Sequence, residues 1–286
     1  MLRLGFTEST LLYLYFLENI LKIHPNNGLF YELQRNMLNW LLSTSGYYDK
    51  TIPGTNMNFN TLDIKKSETY HTYFRKLINI IRQSNYQVLL WFHEMPEKTL
   101  SYKNKFNDFF MNKIISYFDS DVQKIFHTFI ENKKLLVINN LGKLFKQQVD
   151  NGNIYKIFID FPKIETFNYF ENGYSFVNNG PDKNLLETAN KNIEKIDSLK
   201  IDCNAVVISA GAYSILYAEY FIKKNIPVFI LGGDLAFYFG IKIKRHYRDH
   251  SYFFKNLTQE QKNLFLSVPK SMIPPNADKV ESGCYW

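Results

Sequence analysis

Short blocks of consecutive apolar residues alternate along this chain with longer stretches in which apolar residues recur every three or four positions. The short blocks predict buried strands, at Val88–Trp91, Leu135–Ile138, Tyr155–Ile159, Ala205–Ile208 and Val228–Ile230. The longer stretches predict helices over 8–23, 31–43, 70–83, 142–150, 183–200 and 213–224, with two more between 102 and 132. Strands that alternate with helices from residue 86 onward predict βαβ units and a mainly parallel sheet flanked by helices, an α/β fold.

Breakers divide the pattern. His24-Pro25-Asn26-Asn27-Gly28 ends the first helix, and the stretch 44–66, with Pro53-Gly54 and several Asn, predicts a long surface loop. Val268-Pro269, Ile273-Pro274-Pro275 and Gly283 argue against regular structure over 262–286. The apolar Met272, Tyr285 and Trp286 predict that this tail packs back on the domain, which spans 1–286 as one unit or as a piece of a longer polypeptide.

Two strands end in small residues just before a helix. Ala205–Ile208 runs into Ala210-Gly211-Ala212-Tyr213, and Val228–Ile230 into Gly232-Gly233-Asp234. Glycine lets a backbone approach a phosphate closely, and a helix N-terminus offers N–H groups to it, so the pair predicts a crevice for an anionic small molecule. Tight strand–helix packing would demand the same small residues, and Asp234 would equally serve as a helix cap. The dinucleotide fingerprint Gly-x-Gly-x-x-Gly is absent. A basic patch, Lys242, Lys244, Arg245 and Arg248, follows the second turn. His246, Asp249 and His250 offer two histidines at helical spacing without a convincing third metal ligand.

Composition changes this picture little. Hydrophobic residues make up 45%, ordinary for a globular core. The 25 Phe and 20 Tyr, with frequent Asn, Ile and Lys, match what an AT-rich genome encodes, so the aromatics read first as packing. The net charge of +7 suits phosphate-bearing ligands, but no Lys/Arg run is long enough for a nucleic-acid arm. Cys203 and Cys284 make neither a metal spacing nor a disulfide framework, which predicts a reducing compartment. With no membrane-length apolar run and no signal-peptide pattern, the expected location is cytoplasmic.

Several blocks carry a resemblance: Arg3-Leu4-Gly5-Phe6-Thr7-Glu8, Gly211-Ala212-Tyr213, Gly232-Gly233-Asp234-Leu235, Phe239-Gly240-Ile241-Lys242 and Val280-Glu281-Ser282-Gly283-Cys284-Tyr285-Trp286. Their order and spacing resemble those of GT-D-type glycosyltransferase-like domains from Arg3 to Trp286. The resemblance implies a Rossmann-like sheet entered by a strand before Arg3, here cut to Met1-Leu2. It also implies transfer of a sugar from a nucleotide-diphosphate donor to a glycan or glycosylated protein. It places Arg3, Gly5, Gly211, Ala212, Tyr213, Gly232, Gly233, Lys242 and Arg245 at the nucleotide sugar, with Glu8 and Asp234 as catalytic carboxylates. Family members that use Mn or Mg carry Asp-x-Glu in the N-terminal loop. Phe6 stands at that Asp position, which removes one hard oxygen ligand and leaves Glu8 as the remaining metal candidate.

Three rival functions stand beside this one, the third being an α/β enzyme that uses another nucleotide-linked cofactor. The first is a catalytically silent sugar-nucleotide or glycan-binding domain of a larger glycosylation protein, favoured by Phe6. The second is a nucleic-acid-binding protein, suggested only by charge and aromatic content.

Overall fold

The computed structural model describes the chain except residues 1, 5, 24–27, 44, 53–60, 84–87, 91–101, 111–113, 117–121, 177–178, 246–253, 255 and 281–282. Seven strands form one sheet: β1 (Leu2–Leu4), β2 (Val88–Leu90), β3 (Ile114–Ser116), β4 (Lys134–Ile138), β5 (Thr166–Phe170), β6 (Ala205–Ile208) and β7 (Val228–Ile230). Their order is β3-β2-β1-β7-β6-β4-β5, and every pairing is parallel. The helices are α1 (Phe6–Tyr15, continued by a π-helical turn Phe16–Ile20), α2 (Gly28–Ser43), α3 (Thr61–Lys66), α4 (Glu68–Gln83), α5 (Lys103–Phe109), α6 (Val122–Ile130), α7 (Gly142–Asp150), α8 (Asn153–Ile157), α9 (Leu185–Ser198), α10 (Tyr213–Lys223), α11 (Asp234–Tyr238) and α12 (Gln259–Asn263). Among the described residues no helix is long and apolar enough to cross a membrane.

Alternation along the strands builds two cores. Leu136, Ile138, Val206, Ile208, Val228 and Ile230 face one side, with α1, α2, α4, α9 and α10. Leu135, Val137, Ala205, Val207 and Phe229 face the other, with α6, α7, α8 and α11. Strands covered on both faces read as unbroken apolar runs, which is why these segments stand out in the sequence. Each of the Leu, Ile, Val and Phe side chains among these contributes about 1.5–3 kcal/mol on burial. The helices follow the same logic: on α4, Tyr70, Tyr73, Phe74, Leu77 and Ile81 share one buried face at helical spacing. Asn184 caps α9 by accepting the Glu187 amide at 3.0 Å.

Four expectations are corrected. The segment 155–159 is not a strand, because Asn153–Ile157 is helical. Gly152 at φ 67° turns the chain after α7, and Ile154 and Ile157 then share one fully buried helical face. The strand next to β4 is instead Thr166–Phe170, at the sheet edge. The stretch 102–132 holds the short edge strand β3 between its two helices. The N-terminal strand, expected to be cut to Met1-Leu2, extends to Leu4 and pairs on both sides, with β2 and β7. Finally, 45–52 is no surface loop, since Tyr47, Tyr48 and Asp49 are fully buried.

The tail packs back on the domain through the buried Phe265, Ala277, Val280 and Cys284. It is mostly irregular, apart from a small parallel pairing of β8 (Ile241–Lys242) with β9 (Leu266–Ser267) and two 3₁₀ turns. Thr258 starts α12 with a capping box to Gln261.

Gly180 pins the buried 45–52 loop. A Cβ there would stand 2.0 Å from the Tyr48 ring. The Tyr48 hydroxyl contacts Thr188 Oγ1 and accepts the Asp182 amide at 3.3 Å, so the ring cannot retreat freely. Gly180→Ala is therefore expected to destabilise the protein by about 1–3 kcal/mol through overpacking. In a Tyr48→Leu background the same change should cost much less, and urea unfolding of the four proteins measures the coupling.

Candidate functional site

The C-terminal ends of β1, β7, β6, β4 and β5 form one continuous edge, and their exit loops stand side by side. After β1 and β6 the chain enters α1 and α10, which belong to one core. After β7 it enters α11, which belongs to the other. The chain thus leaves β7 and its two neighbours toward opposite faces, the condition for a crevice at a strand-order switch. This edge carries Glu8, Gly211, Ala212, Tyr213, Gly232, Gly233 and Asp234 on three adjacent strand exits. Arg3 lies on β1, placed by its backbone in register with Leu89. Gly5 lies outside the described residues, as do His246, Arg248, Asp249 and His250.

Short polar side chains lace the exits together. Asn139 Nδ2 donates to the Ser209 carbonyl at 2.6 Å while its Oδ1 accepts the Leu141 amide at 2.7 Å. Ser209 Oγ donates to the Gly232 carbonyl at 3.0 Å. Asn140 and Gly173 exchange two hydrogen bonds, at 2.8 and 2.9 Å. The rim from β5 to β7 is fixed by these bonds before any ligand arrives.

Gly211 and Ala212 serve packing. Gly211 is left-handed at φ 55°, and a Cβ on it would stand 2.2 Å from the Ser45 carbonyl oxygen. That same oxygen accepts the Ala212 amide at 2.6 Å. The amides of Tyr213 and Ser214 donate to the carbonyls of Ala210 and Gly211. The N–H groups expected to face a phosphate at this turn are therefore already bonded within the protein. Tyr213 is buried, lies parallel to Tyr217 with ring centroids 5.8 Å apart, and has its hydroxyl pushed well above its usual pKa by burial.

The β7 turn is different. Gly233 is half-buried, and a Cβ on it would meet the Tyr285 ring at 2.9 Å and Arg245 Nη1 at 3.5 Å. Arg245 donates to the Tyr285 hydroxyl at 3.0 Å and lies 5.6 Å from the ring centre. Asp234 is buried in the first turn of α11, one position inside the cap residue Gly233. Lys242 sits half-buried on β8, and neither it nor Lys244 forms an ion pair among the described residues.

Glu8 is half-buried in the first turn of α1. The Tyr73 hydroxyl is pushed far up, first by burial and then by the Glu8 charge. The Tyr73 ring meets Tyr47, on the 45–52 loop that covers Gly211, edge-on at 5.8 Å. Among the described residues no cluster of three His, Cys, Asp or Glu is placed to hold a metal ion. Among the described residues the carboxylates at the three exits are those of Glu8 and Asp234. A separate cavity of about 270 Å³ is lined by Thr51, Ile52, Asp63, Lys66 and Ser67, none of which belongs to a strand exit.

Ser45, Tyr174, Phe176, Tyr285 and Trp286 also line or tie this edge and are not among the residues expected there. For the last two the signal was that apolar residues in the tail predict it packs back on the domain. No protein-family model, curated protein or solved structure matches the chain.

Asp49 anchors the loop beneath the site and yields a pH prediction. Burial alone would raise its carboxyl. Hydrogen bonds from Ser67 at 2.6 Å and from the Thr51 hydroxyl and amide at 2.5 and 3.0 Å hold it below its usual value instead. A lowered folded-state pKa contributes stability above the unfolded value of about 3.9 and loses it as pH falls through the folded value. Urea midpoints measured from neutral pH downward should therefore fall below about pH 4. Asp49→Asn should be less stable at neutral pH and show a flatter acid limb.

Proposed function

We propose that this chain is a GT-D-like glycosyltransferase, moving a sugar from a nucleotide-diphosphate donor to a glycan or glycosylated protein. The observation that supports the reading is the exit of β7, where the Arg245 guanidinium stands over the Gly232–Gly233 turn beside the exits of β1 and β6. Fold likeness alone would be a weak warrant, so the assignment rests on what these residues can do.

In the proposed reaction the bond between the sugar C1 and the diphosphate oxygen breaks, and its electron pair leaves on the diphosphate. The acceptor hydroxyl oxygen bonds to C1, and its proton passes to the Glu8 carboxylate, a general-base role. Arg245 meets the charge that grows on the diphosphate, which suits a guanidinium fork. Asp234 orients a sugar hydroxyl. No step is routed through a metal, because Phe6 offers no oxygen where the resembling domains use Asp.

That same substitution favours a second reading, a silent sugar-nucleotide-binding domain. A thermal-shift screen of nucleoside diphosphates and sugar nucleotides, with and without manganese, tests both: either reading expects selective stabilisation by one nucleotide. Stabilisation without turnover selects the silent domain, and no stabilisation by any nucleotide defeats both.

For the enzyme, Glu8→Gln keeps the side chain's shape and removes its charge. Transfer is expected to fall ~10²–10⁴-fold. Loss of the charge near the helix start should cost no more than about 1 kcal/mol of stability. Donor turnover and melting temperature, measured together, separate these effects, and full activity in Glu8→Gln would remove Glu8 from the mechanism.

A further inference from the structure

We infer that Tyr174, Phe176 and Trp286 form the subsite for the base of a nucleoside diphosphate, with Tyr285 linking this aromatic wall to the Arg245 guanidinium that takes the diphosphate. The inference rests on the nucleotide reading above and adds which residues hold which half of the ligand.

The wall is built from two distant segments. Tyr174 and Phe176 follow β5, and Trp286 ends the tail. The indole meets Tyr174 at 5.8 Å and 62°, Phe176 at 5.6 Å and 57°, and Tyr285 at 6.1 Å and 78°. All three contacts are edge-on or tilted, so none of these rings lies flat on an indole face. Trp286 remains half-exposed. Its ring is oriented by the bond from Nε1 to the Tyr174 hydroxyl at 3.3 Å. The backbone around it is held by the Arg245 amide on the Cys284 carbonyl at 2.7 Å and the Lys244 amide on the Trp286 carbonyl at 3.4 Å. A half-exposed indole fixed in this way is a preorganised stacking platform, because binding need not freeze it.

The other end is cationic. Arg245 stands over Gly233, and Lys242 and Lys244 flank it in sequence without ion-pair partners among the described residues. Arg245 Nη1 donates to a neutral phenol at 3.0 Å. A phosphate oxygen is a stronger acceptor, so a diphosphate can take that bond over with a gain. A flat π-face joined through one tyrosine to a guanidinium matches the two chemistries of a nucleoside diphosphate. It matches a free phosphate or a lone sugar ring less well, since each would use only one end.

The test uses the full chain with uridine, guanosine, adenosine and cytidine diphosphates and with inorganic pyrophosphate. Trp286→Ala should weaken the best nucleoside diphosphate about 5- to 100-fold, the range of one base–aromatic stack, and leave pyrophosphate binding unchanged. Arg245→Ala should weaken both. The chain has three tryptophans, Trp40, Trp91 and Trp286. Nucleotide binding should quench the fluorescence of the wild type, and Trp286→Phe should abolish most of the quench while keeping most of the affinity. This second variant preserves packing if Trp286→Ala fails to fold. Equal weakening of nucleotide and pyrophosphate by Trp286→Ala, or a quench that survives Trp286→Phe, overturns the subsite alone. Failure of every nucleoside diphosphate to bind the wild type overturns the nucleotide reading and the subsite with it.

Discussion

The placement of β7 between β1 and β6, with its helix sent to the opposite face, is the constraint on which the candidate site depends. In a parallel sheet every helix must follow its strand and cover one face. Where neighbouring strands send their helices the same way, the exits close on each other. Where they diverge, the backbone parts and leaves room at the strand ends. Here the divergence falls on both sides of one strand, and the chain meets it with glycine at 232 and 233. The exits of β1, β6 and β7 stand side by side only because β1 is inserted beside β7.

The two glycine turns then divide their roles. At Gly211 the missing side chain admits the Ser45 carbonyl, which locks the buried 45–52 loop against α10. That loop is tied further by the Lys50 amide on the Lys183 carbonyl and the Leu185 amide on the Tyr48 carbonyl. One of its buried tyrosines, Tyr47, meets the ring of Tyr73, whose hydroxyl also feels the Glu8 charge. At Gly233 the missing side chain admits a ring and a guanidinium that belong to the tail. One glycine makes a wall rigid, and the other makes room beside a cation.

The legible parts of the sequence were those whose surroundings are uniform. Leu135–Ile138, Ala205–Ile208 and Val228–Ile230 are buried on both faces, so their apolar runs need no knowledge of partners. The boundaries of α4, α7, α9 and α10 followed from periodicity and breakers to within about two residues. Edge strands were not legible: Thr166–Phe170 contains a partly exposed Asn168, and Ile114–Ser116 is too short to show a period. Tyr155–Ile159 misled because a short apolar run suits a helix turn or a strand equally, and Gly152 decides between them. At the site, the glycines announced themselves while their partners did not. Ser45 lies far from Gly211 in sequence, and nothing in the tail indicates that Tyr285 reaches Gly233. Local chemistry marks where a turn must be, and long-range packing decides what fills it.

The central claim is that a nucleotide sits at the strand exits around β7. Amide hydrogen exchange, with and without the best-stabilising nucleoside diphosphate, tests it most directly. The account predicts slowed exchange confined to the exits of β6 and β7, the 172–176 segment after β5 and the 284–286 tail, with α4 and α9 unchanged. Protection on the far edge around β3, or none near Gly233 and Trp286 while the nucleotide is bound, would contradict it.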